Sequence, residues 1–295
     1  MTAARDGLAR SVQVRLAHHA KAIGVDPNLV LTRYAVERFL YRLSRSPYGE
    51  RFVLKGALLI LAWLGETLRP TRDADLLGFG DLSDEALLAI FQEICDVEAT
   101  PDAVTFLPAS VALSPIRDED TYGGRRITLQ ARLGAARLVI QVDIGIGDAI
   151  TPAPQWLEYP SLLDAPRPRL RAYPRETVVA EKLHAMVMLG TRNSRMKDYF
   201  DVWALLREQA MNGRTLASAI AATFERRRTA VPGEVPAGLA DAFVNDPAKR
   251  AQWQAFVSRN RIEAPPLDEV VPDIREGLVG VIGQARQLGR KLEDG

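Results

Sequence analysis

The feature that most constrains the fold is a double alternation between Arg126 and Ile146. Ile127, Leu129, Ala131 and Leu133 alternate with Arg126, Thr128, Gln130 and Arg132; after Gly134-Ala135-Ala136, a second run sets Leu138, Ile140, Val142, Ile144 and Ile146 on one face. Strand side chains alternate faces with period two, so each run reads as a strand with one apolar side, and the short glycine-containing connection makes the pair a hairpin. On its other face the second strand carries Val139, Gln141, Asp143 and Gly145, which sets the Asp143 carboxylate among small or polar neighbours.

Two more carboxylates stand at a strand start. In RPTRDADLL, Asp73 and Asp75 follow Arg69 and Arg72 and run into Leu76-Leu77, and the segment closes at Gly78-Phe79-Gly80. In a strand the two aspartates share a face, about 7 Å apart along the chain. Two carboxylates so placed repel, which is tolerable at a solvated strand end or with a cation between them. The available donors bound the kind of cation. His18, His19, His184 and the single Cys95 fit no standard zinc spacing, so hard-metal chemistry with oxygen ligands is the metal chemistry left open. One cysteine also excludes an intramolecular disulfide; Cys95 reads as helix packing in a reducing compartment.

The N-terminal MTAARDGLARSVQ has no apolar h-region, and the longest apolar run, Ala57 to Leu64, is too short to span a bilayer, so a cytoplasmic protein without a membrane partner is expected. The formal net charge of +1 hides an uneven distribution. Between Arg167 and Arg228 there are 13 Lys/Arg against 6 Asp/Glu, an excess of +7, which leaves −6 for the remainder. Clusters such as RPRLR, RNSRMK and ERRR suit a polyanion, or else a solvated helix surface.

Along the chain, Asp26 as N-cap, Pro27 at the first helical position, and Val36, Phe39, Leu40 and Leu43 on one face predict an N-terminal helix. RFVLKG then reads as a short strand ending in Lys55-Gly56, followed by a buried helix in ALLILAWLGE. Ser83, with Asp84 and Glu85 in the first turn and Leu87, Ile90, Phe91 and Ile94 on one face, marks another helix. Six prolines in the 24 residues from Thr151 to Pro174 predict a linker. Residues 1–150 are thus expected as one domain, 151–174 as the linker, and 175–295 as a helical lobe with helices at 175–189, 195–208, 214–227 and from about Ile274.

Within the helical part, Lys182 has Val178, Val179, Ala185 and Met186 at helical neighbour positions. A lysine in an apolar stripe either snorkels out or meets an anion inside. Arg195 and Asp198, in RMKDYFD, are spaced i, i+3, which by itself is a helix-surface pair. Taken together, three strand carboxylates, a glycine at a strand-to-helix turn and scattered cations describe a nucleotidyl-transfer site: Mg²⁺ bridges carboxylates and a triphosphate, and helix-start N–H groups hold phosphate oxygens.

FVLKGALLILAWLGETLRPTRDADLL resembles the signature of the AbiEii/AbiGii toxin family of bacterial nucleotidyltransferases, in which Lys-Gly opens a helix and an Arg-x-[Ser/Thr]-x-Asp-x-Asp strand follows. The likeness continues through YPRETVVAEKLHAMV, RMKDYFDVWAL and the TFERRRT segment, over nearly the whole chain. The mycobacterial nucleotidyltransferase toxins that modify tRNA belong to the same group. The resemblance implies an α+β protein: a DNA-polymerase-β-like nucleotidyltransferase lobe with a mixed sheet, then a helical C-terminal lobe closing a basic cleft. It implies that Asp73 and Asp75 bind Mg²⁺, that Lys55 supports the metal carboxylates or the nucleotide, that Lys182 reaches the triphosphate, and that Asp198 is the acid of the last motif. Gly56, Arg72 and Arg195 fall at nucleotide- or phosphate-contacting positions, and strand geometry adds Asp143 as a third metal ligand. Where the broader polymerase-β-like pattern has Gly-Ser or Gly-Gly, this chain has Gly56-Ala57, so no hydroxyl is present there and backbone N–H groups remain.

The activity so implied is transfer of a nucleoside monophosphate from an NTP to the 3′ end of tRNA or another RNA, which blocks translation, with an antitoxin protein as the controlling partner. Two alternatives stand beside it: transfer to a protein hydroxyl, such as one on the antitoxin, and a catalytically silent nucleotide- or RNA-binding module.

Overall fold

The computed structural model describes residues 2–65, 71–116, 124–208 and 211–293. The chain divides into two units: one runs to Gly147 and includes Gln155–Ala172, and the other comprises Asp148–Pro154 and Tyr173 onward.

The first unit is built on a seven-stranded mixed sheet. Its elements are helices α1 (Thr2–Ala22), α2 (Pro27–Arg45), α3 (Ala57–Leu64) and α4 (Asp84–Asp96), and strands β1 (Phe52–Lys55), β2 (Ala74–Gly78), β3 (Val104–Pro115), β4 (Arg125–Leu133), β5 (Ala136–Ile146), β6 (Gln155–Glu158) and β7 (Arg169–Ala172). Strand order is β3-β4-β5-β2-β1-β7-β6, with β2 parallel to β5, β1 parallel to β7, and the other neighbours antiparallel. The expected hairpin is β4–β5, and its aliphatic row, Ile127, Leu129, Ala131 and Leu133 with Leu138, Ile140, Val142 and Ile144, is buried.

Helices α2 and α4 pack on this side, against β5 and β3 respectively. Phe39 of α2 stacks on Phe91 of α4 at 5.6 Å between centroids and meets Phe106 of β3 edge-on at 5.5 Å, while Phe52 of β1 meets Phe91 at 5.8 Å. Both helices start as their caps require: the Asp26 side chain accepts from Asn28 N, and the Ser83 hydroxyl accepts from Ala86 N. Cys95 is buried on α4, in the packing role expected of it.

The proline-rich segment is more than a linker, which corrects the sequence expectation. It supplies β6 and β7, and β7 lies inside the sheet between β1 and β6. Buried groups on α2 hold the connection between these strands. Glu37 accepts from Ser161 Oγ at 2.7 Å and Leu162 N at 2.8 Å, and Arg38 donates to Pro166 O at 2.9 Å. Burial pushes the Glu37 carboxyl up, against the pull of Arg38 and these donors. Prolines here limit which backbone N–H groups need partners, without preventing short strands between them.

The second unit is helical: α5 (Arg175–Leu189), α6 (Met196–Glu208), α7 (Gly213–Arg226), α8 (Asp241–Asn245), α9 (Pro247–Asn260) and α10 (Leu267–Glu293). The last helix begins a full two turns before the expected Ile274, because Leu267, Val270 and Val271 already belong to its buried face. Helix α5 packs on α7, and α10 packs on α6 and α7. Tyr199 of α6 stacks on Phe243 at 5.0 Å and donates its hydroxyl to Gly238 O at 2.9 Å.

Candidate active site

Strand register assembles the first cluster. Lys55 on β1 is the Cα partner of Asp75 on β2, Asp75 is the partner of Asp143 on β5, and Asp143 is the partner of Arg126 on β4. Registered partners point to the same face, so Lys55, Asp75, Asp143 and Arg126 form one row across four adjacent strands. The opposite face at this level is apolar, since Leu54, Leu76 and Ile144 are buried next to the row. Asp73 stands just before β2 and is exposed, Ala74 between the two aspartates is buried, and Arg72 is exposed. Arg69 lies outside the described residues.

Gly56 makes the close approach in this row possible. It caps α3 with φ +72° and ψ −151°, a backbone region that is essentially glycine-only. A Cβ added there would lie 2.0 Å from Asp75 Oδ2 and 2.6 Å from its Cγ. The Asp75 carboxylate therefore lies directly on the Gly56 Cα, beside the start of α3, where unpaired N–H groups and the helix dipole favour an anion.

Asp143 is held differently. Arg126 Nε and Nη2 each donate to one of its oxygens at 2.8 Å, a bidentate pair with the Asp143 side chain 18% exposed. Among the described residues, no three His, Cys, Asp or Glu side chains converge in a way that would hold a metal ion. The donor set is nonetheless all-oxygen, which suits a hard cation at Asp73 and Asp75; for Asp143 to join them, Arg126 has to release it.

The second cluster lies in the helical unit. Lys182 on α5 donates to Asp198 Oδ1 at 2.6 Å and pairs with Asp201 Oδ2 at 3.0 Å, while Arg195 Nε stands 3.0 Å from Asp198 Oδ2. Lys182 thus meets anions inside the structure, one of the two outcomes its apolar stripe allowed. Arg195 and Asp198 are not a surface pair: the Asp198 side chain is 2% exposed and Asp201 is fully buried. Burial pushes the Asp198 carboxyl up, but Lys182 and then Arg195 pull harder, and it ends below the usual range.

Sequence reasoning missed Asp201, although its i, i+3 spacing from Asp198 on an amphipathic helix was a usable signal. It also missed a network around His184. Arg227 Nη1 donates to His184 Nδ1 at 3.2 Å, so the imidazole carries its proton on Nε2 and gives it to Thr229 Oγ1 at 3.0 Å; Arg227 in turn pairs with Asp148 at 3.4 Å and Glu181 at 3.7 Å. These residues come from three separate segments, and no local pattern announces them.

The architecture, a mixed sheet with helices followed by a helical unit, is that of a polymerase-β-like nucleotidyltransferase. Among solved structures, JHP933 from Helicobacter pylori is 16% identical with a TM-score of 0.51, covering 91% of this chain and 98% of its own. A second H. pylori chain, provisionally described as a nucleotidyltransferase, is also 16% identical with a TM-score of 0.49, covering 91% and 99%. At that identity the first of these shows the fold alone. No curated protein matches the chain. The model of the nucleotidyl transferase AbiEii toxin family, of type IV toxin–antitoxin systems, matches residues 38–278, and the chain belongs to that family. No helix among the described residues is long and apolar enough to cross a membrane.

Proposed function

We propose that this protein is a Mg²⁺-dependent toxin that transfers a nucleoside monophosphate from an NTP to the 3′ hydroxyl of tRNA, as in the mycobacterial tRNA-modifying toxins it resembles, and that an antitoxin protein restrains it. The observation that carries the reading is the registered row Lys55–Asp75–Asp143, with Asp75 seated against Gly56 at the start of α3. In this reading Asp73 and Asp75 hold the metal, and Asp143 joins them when Arg126 lets go. The bound Mg²⁺ supplies charge neutralisation at the reacting phosphate. Lys55 offsets the carboxylate charge, Gly56 keeps the first N–H groups of α3 open to phosphate oxygens, and exposed Arg72 adds a cation beside them. Asp75 orients the attacking 3′ hydroxyl and accepts its proton as the new O–P bond forms and the bond to the leaving pyrophosphate breaks. In the helical unit Arg195, engaged by Asp198 through Nε and with a side chain 43% exposed, offers its remaining guanidinium N–H groups to a phosphate, and Lys182 is the positioning member held between Asp198 and Asp201.

The test is incubation of the wild type and an Asp75→Asn variant with Mg²⁺, total RNA and each α-³²P-labelled NTP in turn, with RNA and protein resolved on gels. Label on tRNA-sized bands from the wild type alone is expected. Label on protein alone would move the acceptor to a protein hydroxyl, and equal labelling by Asp75→Asn would sink the assigned chemistry.

A further inference from the structure

The β3–β4–β5 end of the sheet has an open face continuous with the carboxylate row. On this face Arg126, Thr128, Gln130 and Arg132 of β4 stand opposite Asp143, Gln141, Val139 and Arg137 of β5. None of the described helices buries it: Gln130, Arg132 and Arg137 are exposed, and Val139 is 64% exposed. Exposure falls along the strands towards Asp143, so the face is most open at the hairpin tip and closes down at the carboxylates. Its charge is one-sided. The only acid on β4 or β5 of this face is Asp143, already held by Arg126, and the facing positions of β3, such as Thr105 opposite Arg132 and Ser114 opposite Arg126, carry none.

Arg132 and Arg137 are also direct cross-strand partners. Like charges directly opposite destabilise a strand pair, and neither arginine makes an ion pair among the described residues. Such a pair makes sense where a polyanion supplies the missing charge.

We propose that this face is the track on which the single-stranded 3′ end of the acceptor RNA lies, with Arg132 and Arg137 holding backbone phosphates and Val139 offering an apolar contact to a base. The inference rests on the transferase reading above for its direction, towards Asp75. Six residues separate position 137 from 143, about 20 Å at strand rise. At about 3.4 Å per stacked nucleotide, the arginine pair meets phosphates roughly six nucleotides from the reacting end. Arginine is suited to the task because its fork binds phosphate oxygens in two places.

The test measures binding without NTP, so that it stands apart from catalysis. A 5′-fluorescein single-stranded RNA 12-mer is titrated with wild type, with Arg132→Gln/Arg137→Gln, and with the control Arg259→Gln/Arg286→Gln, whose arginines are exposed on the helical unit, at several salt concentrations. Loss of two phosphate contacts lowers the slope of log affinity against log salt by about 1.4 and weakens binding on the order of tenfold at low salt. The control keeps the wild-type curve. Equal affinity and slope for the hairpin variant, equal weakening by the control, or no RNA binding by the wild type would each overturn the proposal. RNA that binds through the hairpin yet never acquires label would instead overturn the transferase reading and leave the track standing.

Discussion

Gly56→Ala perturbs the candidate site through a single methyl group. Two costs follow from the geometry. The backbone at φ +72°, ψ −151° lies outside the regions L-residues occupy, worth about 1–3 kcal/mol of strain. The new Cβ also meets Asp75 at 2.0 Å from Oδ2, 2.6 Å from Cγ and 2.8 Å from Cβ. Asp75 is registered with both Lys55 and Asp143, so its backbone cannot retreat without disturbing two strand pairs, and its carboxylate has to swing away instead. The variant should lose roughly 2–3 kcal/mol, seen as a Tm drop of roughly 5–10 °C at about 2–4 °C per kcal/mol. Displacing the carboxylate by about 1 Å should cost about 100-fold in labelling rate. A double-mutant cycle with Asp75→Ala isolates the clash. That change removes the two closest contacts but keeps the Cβ at 2.8 Å and leaves the backbone strain, so Gly56→Ala should be less damaging in the Asp75→Ala background than in the wild type. The reasoning fails if Gly56→Ala melts and labels like the wild type, or if its stability cost is the same in both backgrounds.

Three further outcomes follow from the buried groups. Lys182→Met should destabilise the helical unit by about 3–5 kcal/mol in urea unfolding, because it leaves the buried Asp198 and Asp201 short of a cation; a wild-type midpoint would show that Lys182 has no structural role. Asp198 is held below its ordinary 3.8, so its contribution to stability is complete above the unfolded pKa of about 3.9 and is lost as pH falls through the lower folded value. Asp198→Asn should therefore flatten the fall in unfolding midpoint between pH 4 and pH 3, and an unchanged slope would contradict the assignment. Cys95, whose thiol burial pushes up to about 12, should stay inert to a thiol reagent at pH 8 until denaturant is added.

The parts of the fold that announce themselves in the sequence are those decided locally. Period-two alternation marked β4 and β5, and the Asp26-Pro27 and Ser83 caps marked α2 and α4. Strand β3 is hard to see because Pro108 and Pro115 interrupt it; the register shifts between Leu107 and Ala112, and Ser110 bridges the irregularity by donating to Leu107 O and accepting from Gln130 N. Strands β6 and β7 have four residues each, too few for a pattern, and they exist because β1 offers β7 a parallel partner and α2 anchors the intervening chain. At the site, each of Lys55, Asp73, Asp75 and Asp143 could be singled out from its own neighbourhood. Their alignment could not, since β1, β2 and β5 are not all consecutive and no hairpin turn fixes the register between β2 and β5.

Charge shows the same gap between chain and molecule. The +7 excess between Arg167 and Arg228 is a net count that already subtracts Glu181, Asp198 and Asp201, and folding reduces it further only where a cation meets an acid from outside the segment. Lys182 is spent on Asp198 and Asp201, Arg195 on Asp198, and Arg227 on Asp148 and Glu181. Arg207 pairs with Asp273, Arg171 donates to Glu50 O, and Arg169 lies 4.9 Å over the Trp156 ring. Two of these acids, Asp148 and Asp273, lie outside the counted segment, so a window along the sequence overstates the positive field by their charges, while the Glu50 carbonyl and the Trp156 ring orient their arginines without neutralising them. The hairpin gives the opposite case. Arg132 and Arg137 contribute little to any count, yet they stand exposed and opposed on a face whose one acid is already paired. Attraction for a phosphate backbone depends on cations whose charge is not already neutralised, and by that measure the two hairpin arginines count in full, whereas Lys182, Arg195 and Arg227 of the basic tract do not.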